Sequence, residues 1–227
     1  MHLSPARSTR TTLPEGRGFD SVAPHPVRVL LTRSGLVLTA GLLLGGLTSW
    51  GQTVLPASLA PFANSASGWT IVTVLLLWRI GSGVRSSALL GALAFAGLTV
   101  GYGMISTARG FFFDPSFWVA VGLVAGPVVG AAVALARLGS DRTTAIARGL
   151  LIGLVAGDGI YGLTVVAETT GPEYWVAAVS LAGVALIVSL PLFRRRPRVL
   201  AALLATASAV SAAYPLALLA LSGLLLL

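Results

Sequence analysis

The chain has 227 residues, of which 56% are hydrophobic and 10% charged, and its net charge is +8. Soluble domains carry about 25% charged residues, so this composition cannot coat a water-facing surface and argues against an ordinary cytosolic enzyme. There is no Cys, which removes disulfides, thiolate metal sites and Cys nucleophiles.

Residues 1–27 are rich in Arg, Ser, Thr, Pro and Gly without a periodic apolar face, and read as a disordered basic cytoplasmic tail. Both histidines, His2 and His25, fall in this tail, so no imidazole is left for an intramembrane proton relay or metal site. From residue 28 to 227 the chain reads as one transmembrane helical domain. Hydrocarbon about 30 Å thick needs roughly 20 apolar residues per helix, and the gaps between charges supply such lengths. Between Arg33 and Arg79 lie 45 uncharged residues, enough for two short spans around a Pro-containing turn at 51–67. Further uncharged runs number 23 between Arg85 and Arg109, 22 between Asp114 and Arg137, and 20 between Glu173 and Arg194. Between Arg148 and Glu168 only Asp158 interrupts the run, and 29 residues follow Arg198. Seven helices are therefore expected, at about 34–50, 64–80, 86–107, 116–136, 145–167, 174–193 and 199–225. The fold class is an all-α polytopic transmembrane bundle.

Orientation follows from the arginines. With the N-terminus inside and the C-terminus outside, 14 of the 15 basic residues are cytoplasmic and only Arg109 lies outside. Trp50, Trp69, Trp118 and Trp175 then fall at outer helix ends, where indoles prefer the interface, and Trp78 at an inner end. The basic charge is thus a topology signal, and nucleic acid is not an expected partner.

In lipid, helices associate largely through close approach of small residues. The fourth helix carries Gly122, Gly126, Gly130 and Ala134 at four-residue spacing, and the fifth Gly149, Gly153 and Gly157. The seventh carries Ala201, Ala205, Ala209 and Ala213, the third Gly97 and Gly101, and the first Gly41 and Gly45. Packing within the chain is the expected use of these ridges. Docking onto a membrane-protein partner or a second copy is the alternative.

Asp158 sits at the midpoint of the uncharged window 149–167. A charge at the bilayer centre costs about 2.5–3.5 kcal/mol on insertion scales, so such residues face a bundle interior or a water-filled cavity. Tyr161 follows on the same helical face, placed to donate a hydrogen bond. Gln52 and Tyr102, nearer the outer face, are candidates to line a vestibule opening towards Asp158. Together these four form a candidate substrate-binding set, against the plainer reading that Asp158 ties helices together. Asn64 or Ser65 is placed to cap the second helix, and Asp114 the fourth. Phe111, Phe112 and Phe113 read as an interfacial anchor. No nucleophile elbow, zinc motif, phosphate loop or intramembrane acid pair is present. Catalytic residues, a metal site and cofactors are accordingly not expected, and neither is enzyme activity.

The first hairpin carries Gly46-Leu47-Thr48-Ser49-Trp50-Gly51-Gln52, then Leu55-Pro56, Leu59 and Ala63-Asn64-Ser65, and reaches Trp69. With Gly101-Tyr102, Gly126-Pro127-Val128-Val129-Gly130 and Gly157-Asp158-Gly159, this pattern resembles an uncharacterised family of small bacterial, mostly actinobacterial, multi-pass membrane proteins. The resemblance covers about 34–225 and implies a polytopic helical fold in the bacterial plasma membrane. It implies no activity. Where that family is expected to carry Glu in the fifth helix, this chain has Asp158. The expected function is binding or transport of a small solute through an outward-facing cavity floored by Asp158. The alternative is a non-transporting scaffold or subunit of a larger membrane complex.

Overall fold

The computed structural model describes residues 26–81 and 83–224, with side chains through residue 221. The described chain is helical, without strands. Helix α1 spans Pro26–Val54, α2 Ala66–Ile80, α3 Val84–Ala108, α4 Ser116–Leu138 and α5 Asp141–Tyr161. A π-helical turn, Gly162–Val166, and the short α6, Ala167–Thr170, extend α5. Helices α7, Glu173–Phe193, and α8, Pro197–Leu224, complete the bundle. Six of these stretches are long and apolar enough to cross a membrane. The helix expected at 34–50 begins eight residues earlier, taking in Pro26 and Val27; residues 1–25 lie outside the described residues.

The second crossing differs from the rest. Helix α2 has 15 residues, about 22 Å at 1.5 Å per residue, short of the hydrocarbon thickness. The preceding chain makes up the shortfall with a turn at 56–59 and a 3-10 helix, Ala60–Asn64. Pro56 and Pro61 lack an N–H to donate, which prevents this segment from continuing as an α-helix. Helix α2 begins where Ser65 caps it, its Oγ accepting the Gly68 N–H at 3.0 Å. It ends beside the start of α1, where Arg33 donates to the Gly81 carbonyl at 2.8 Å. This stretch of the bundle is thus part irregular backbone and part helix.

The bundle has two cores. Val37, Leu77, Leu90, Ala94 and Val133 join α1 to α4; Ala145, Ile152, Val155, Ala178, Ala182, Phe193, Leu203 and Ala207 join α5, α7 and α8. Ala132, Ala136 and Ala147 link the two across α4 and α5. Helix α2 serves both, placing Leu77 in the first core and Ile71 against the second.

The glycine ridges pack inside the chain, as expected. Gly41 and Gly45 lie on Gly97 and Leu98, and Gly101 lies on Leu42. Gly91 meets Gly126, Gly122 meets Phe95 and Gly130 meets Ser87. Gly149, Gly153 and Gly157 accept Leu203 with Thr206, Val210 and Tyr214 of α8. The alanine ridge of α8 is a correction. Ala201, Ala205, Ala209 and Ala213 are exposed, and α8 packs instead through Leu203, Ala207, Val210 and Tyr214. Glycine hollows on α5 are filled by protruding side chains, so the bulkier face of α8 turns inward.

The two ends of the bundle are chemically distinct. At one, Arg137 lies over the Trp78 ring and Arg196 pairs with Asp141. At the other, Arg109 lies over Trp50 and Phe111 and donates to the Ser49 carbonyl and to Thr53. There too Asp114 accepts the Ser116 N–H at 2.9 Å just ahead of α4, whose N-cap is Pro115 rather than the Asp114 expected.

Candidate functional site

The most polar part of the bundle interior is the contact between α5 and the start of α2. Ser65 is the N-cap, so Ser67 lies in the first turn, where backbone N–H groups have no partner within the helix. Asp158 supplies one from across the bundle: its Oδ2 accepts the Ser67 N–H at 2.8 Å and the Ser67 hydroxyl at 2.5 Å. Its Oδ1 accepts the Tyr214 hydroxyl of α8 at 2.9 Å. A carboxylate at a helix N-terminus also meets the positive end of the helix dipole. Asp158 is only 3% exposed and Ser67 1%.

The hydroxyls around it have a direction. Tyr174 lies 2.7 Å from Ser67 Oγ and 2.8 Å from Ser65 Oγ. A hydroxyl has one proton to give. Ser67 gives its proton to Asp158, so Tyr174 donates to Ser67 and Ser65 donates to Tyr174. The result is a file, Ser65 to Tyr174 to Ser67 to Asp158, in which every contact asks the carboxyl only to accept. Phe62 and Trp175 pack edge-on against Tyr174 and wall the file.

Depth follows from helix lengths. Ser67 is 12 residues from Arg79, about 18 Å, and Asp158 is ten from Arg148, about 15 Å. Both lie deep in the bundle, away from the arginine-rich end. Four residues beyond Asp158 the π-helical turn begins at Gly162, on which the Trp175 indole rests directly. Trp175 is anchored in turn by its Nε1 donating to Thr170 at 2.9 Å.

The sequence-predicted set divides. Tyr102 donates to Gln52 Oε1 at 2.9 Å, and the pair lines a depression of about 340 Å³ at the Arg109 end of the bundle with Thr53, Ser106, Arg109 and Phe111, Phe112 and Phe113. Asp158 does not line it. Tyr102 packs on Phe113 and on Trp69 of the first turns of α2. Asp158 is therefore at a packed seam rather than at the floor of an open cavity. The phenol that reaches Asp158 is Tyr214, not Tyr161. Tyr161 is half-buried and makes no hydrogen bond to the carboxyl among the described residues. Ser67, Tyr174 and Tyr214 are the members that sequence reasoning missed. The one local signal was Ser65-Ala66-Ser67 at a helix start, where free N–H groups need an acceptor. Among the described residues no group of three His, Asp or Glu side chains gathers to hold a metal.

Long apolar helices, arginines gathered at one end and a polar network confined to the interior define a multi-pass α-helical membrane protein. Within that class the chain belongs to the Family of unknown function (DUF6518), whose model matches residues 24–223. No curated protein and no solved structure matches it.

Proposed function

We propose that this protein binds or moves a small polar solute across the bacterial plasma membrane, without enzymatic chemistry. The observation that carries the reading is helix α2, which begins inside the bundle with its first turn held by a carboxyl group from the other half of the bundle. Irregular backbone at membrane depth persists only where protein or a cavity satisfies its polar groups. Half-helix starts inside a bundle are where membrane transporters bind ligands. In this reading the conformation is closed. Solute collects in the outer depression at Gln52, Tyr102 and Arg109, and passage requires Trp69 and Tyr102 to part and Asp158 to release Ser67.

A screen of amino acids, sugars and small carboxylates for thermal stabilisation of the purified protein, followed by counterflow in proteoliposomes, tests this. A stabilising solute whose counterflow is lost in Gln52→Ala and Asp158→Asn supports the reading. A solute transported equally well by both variants contradicts it.

One observation favours the alternative of a non-transporting subunit: the exposed face of Ala201, Ala205, Ala209 and Ala213, since small-residue faces let another helix approach closely. A stoichiometric membrane partner that is lost on Ala205→Leu and Ala209→Leu would support that alternative instead.

A further inference from the structure

At the arginine-rich end, a groove of about 490 Å³ is lined by Arg142 of α5 and by Arg198, Val199, Ala201, Ala202 and Ala205 of α8. Both arginines are exposed. The neighbouring acid, Asp141, is engaged by Arg196, and among the described residues neither Arg142 nor Arg198 meets a carboxylate. Two guanidinium groups on one groove repel each other, and an anion between them turns that repulsion into attraction. The planar donor fork of Arg matches phosphate oxygens in pairs. The rest of the wall is apolar, so a free phosphate would satisfy the arginines and leave the remaining surface uncovered. A phospholipid satisfies both parts.

We propose that this groove is a binding site for an anionic phospholipid of the arginine-side leaflet. Its phosphate sits between Arg142 and Arg198, and one acyl chain lies along Val199, Ala201, Ala202 and Ala205. The exposed face of α8 continues to Ala213. Ala201 to Ala213 spans 12 residues, about 18 Å, close to the depth of one leaflet, about 15 Å. Basic pockets beside transmembrane helices on the cytoplasmic side are suited to anionic headgroups. The site stands apart from the Asp158 network, since Arg142 precedes Asp158 by 16 residues, about 24 Å along α5. It does not depend on the solute reading.

Native mass spectrometry of the detergent-purified chain tests the proposal, titrating dioleoyl phosphatidylglycerol against dioleoyl phosphatidylcholine. Phosphatidylglycerol is expected to bind at least tenfold more tightly at one site. In R142Q/R198Q the preference falls to that of phosphatidylcholine, while R142K/R198K keeps part of it. Arg85→Gln, an exposed arginine outside the groove, leaves it unchanged. Ala205→Trp, which fills the groove, weakens binding of both lipids at this site. Inorganic phosphate at the same concentration does not displace the lipid. Equal binding of the two lipids, or unchanged preference in R142Q/R198Q with an unaltered melting profile, overturns the proposal. So does a dimer that Ala205→Trp dissociates, because the groove would then be an interface between copies.

Discussion

Where α3 meets α1 and α4, contact is mostly backbone on backbone; where α5 meets α8, backbone contact at Gly149 is joined by side chains that fill the other hollows, and polar groups link α5 to the start of α2. A Cβ on Gly45 would fall 2.0 Å from the Leu98 carbonyl oxygen, and one on Gly91 2.1 Å from that of Gly126. The second contact region instead lets Val210 and Tyr214 into the hollows at Gly153 and Gly157 and gathers Asp158, Ser67 and Tyr174 beside them. Backbone-to-backbone contact has one good geometry, because carbonyl and Cα positions cannot rotate away. Hydroxyls and a carboxyl can exchange partners by turning a side chain. The first region is therefore fixed by backbone contact, and the second adds hydrogen bonds that a turn of a side chain can remake.

Substitutions separate the two regions. The largest effect is expected from Gly45→Ala or Gly91→Ala, which forces helix axes apart and costs about 3 kcal/mol or more, read as loss of folded protein in detergent. Asp158→Ala comes next. It strands the Ser67 N–H and hydroxyl and the Tyr214 hydroxyl, at a cost of about 2 kcal/mol in reversible unfolding. Asp158→Asn costs less, about 1 kcal/mol, because the amide oxygen still accepts from Ser67 and its NH2 donates to Tyr214. Tyr214→Phe removes a single bond and should cost about 0.6 kcal/mol, the average for such bonds in a membrane. Ala205→Leu, on the exposed face of α8, should leave the unfolding of the isolated chain unchanged. If Asp158→Ala proved as damaging as Gly45→Ala, the contrast between the two regions would fail.

Most of the fold is legible in the chain because charges are scarce. Arg85, Arg109, Asp114, Arg137 and Glu173 bracket runs that leave a helix little choice of end, and α3, α4 and α7 start and stop within two residues of those expected. The ridges Gly41–Gly45 and Gly97–Gly101 were readable too, since glycine at four-residue spacing creates a hollow whatever fills it. The start of α2 is legible as well: it is expected at 64 with Asn64 or Ser65 as its cap and lies at Ala66 with Ser65 as the cap. What meets its free N–H groups is not legible. Partners of Asp158 lie 91 residues away at Ser67 and 56 away at Tyr214, so spacing offered only Tyr161. The face of α8 was misjudged for a different reason. Ala201, Ala205, Ala209 and Ala213 recur at every fourth residue, whereas Leu203, Ala207, Val210 and Tyr214 follow at steps of four, three and four; both patterns make a helical stripe, and spacing alone does not say which side meets glycine hollows that need filling.

The arginine-based orientation has a simple check in this Cys-free chain. Single cysteines at Ser65 and Ser140 should label from opposite sides, Ser140 from the cytoplasm and Ser65, which is buried, only slowly from outside. Reversed sidedness would invert the topology.

The claim that Asp158 holds the start of α2 closed is tested most directly at Thr70, which is buried one turn below Ser67. Thr70→Cys replaces a small side chain with another of similar size and leaves the Asp158 bonds intact. In intact membranes, its rate of reaction with a membrane-impermeant maleimide should be low. In the Asp158→Ala background it should rise at least tenfold. Equal rates in the two backgrounds would show that the carboxyl does not latch this helix.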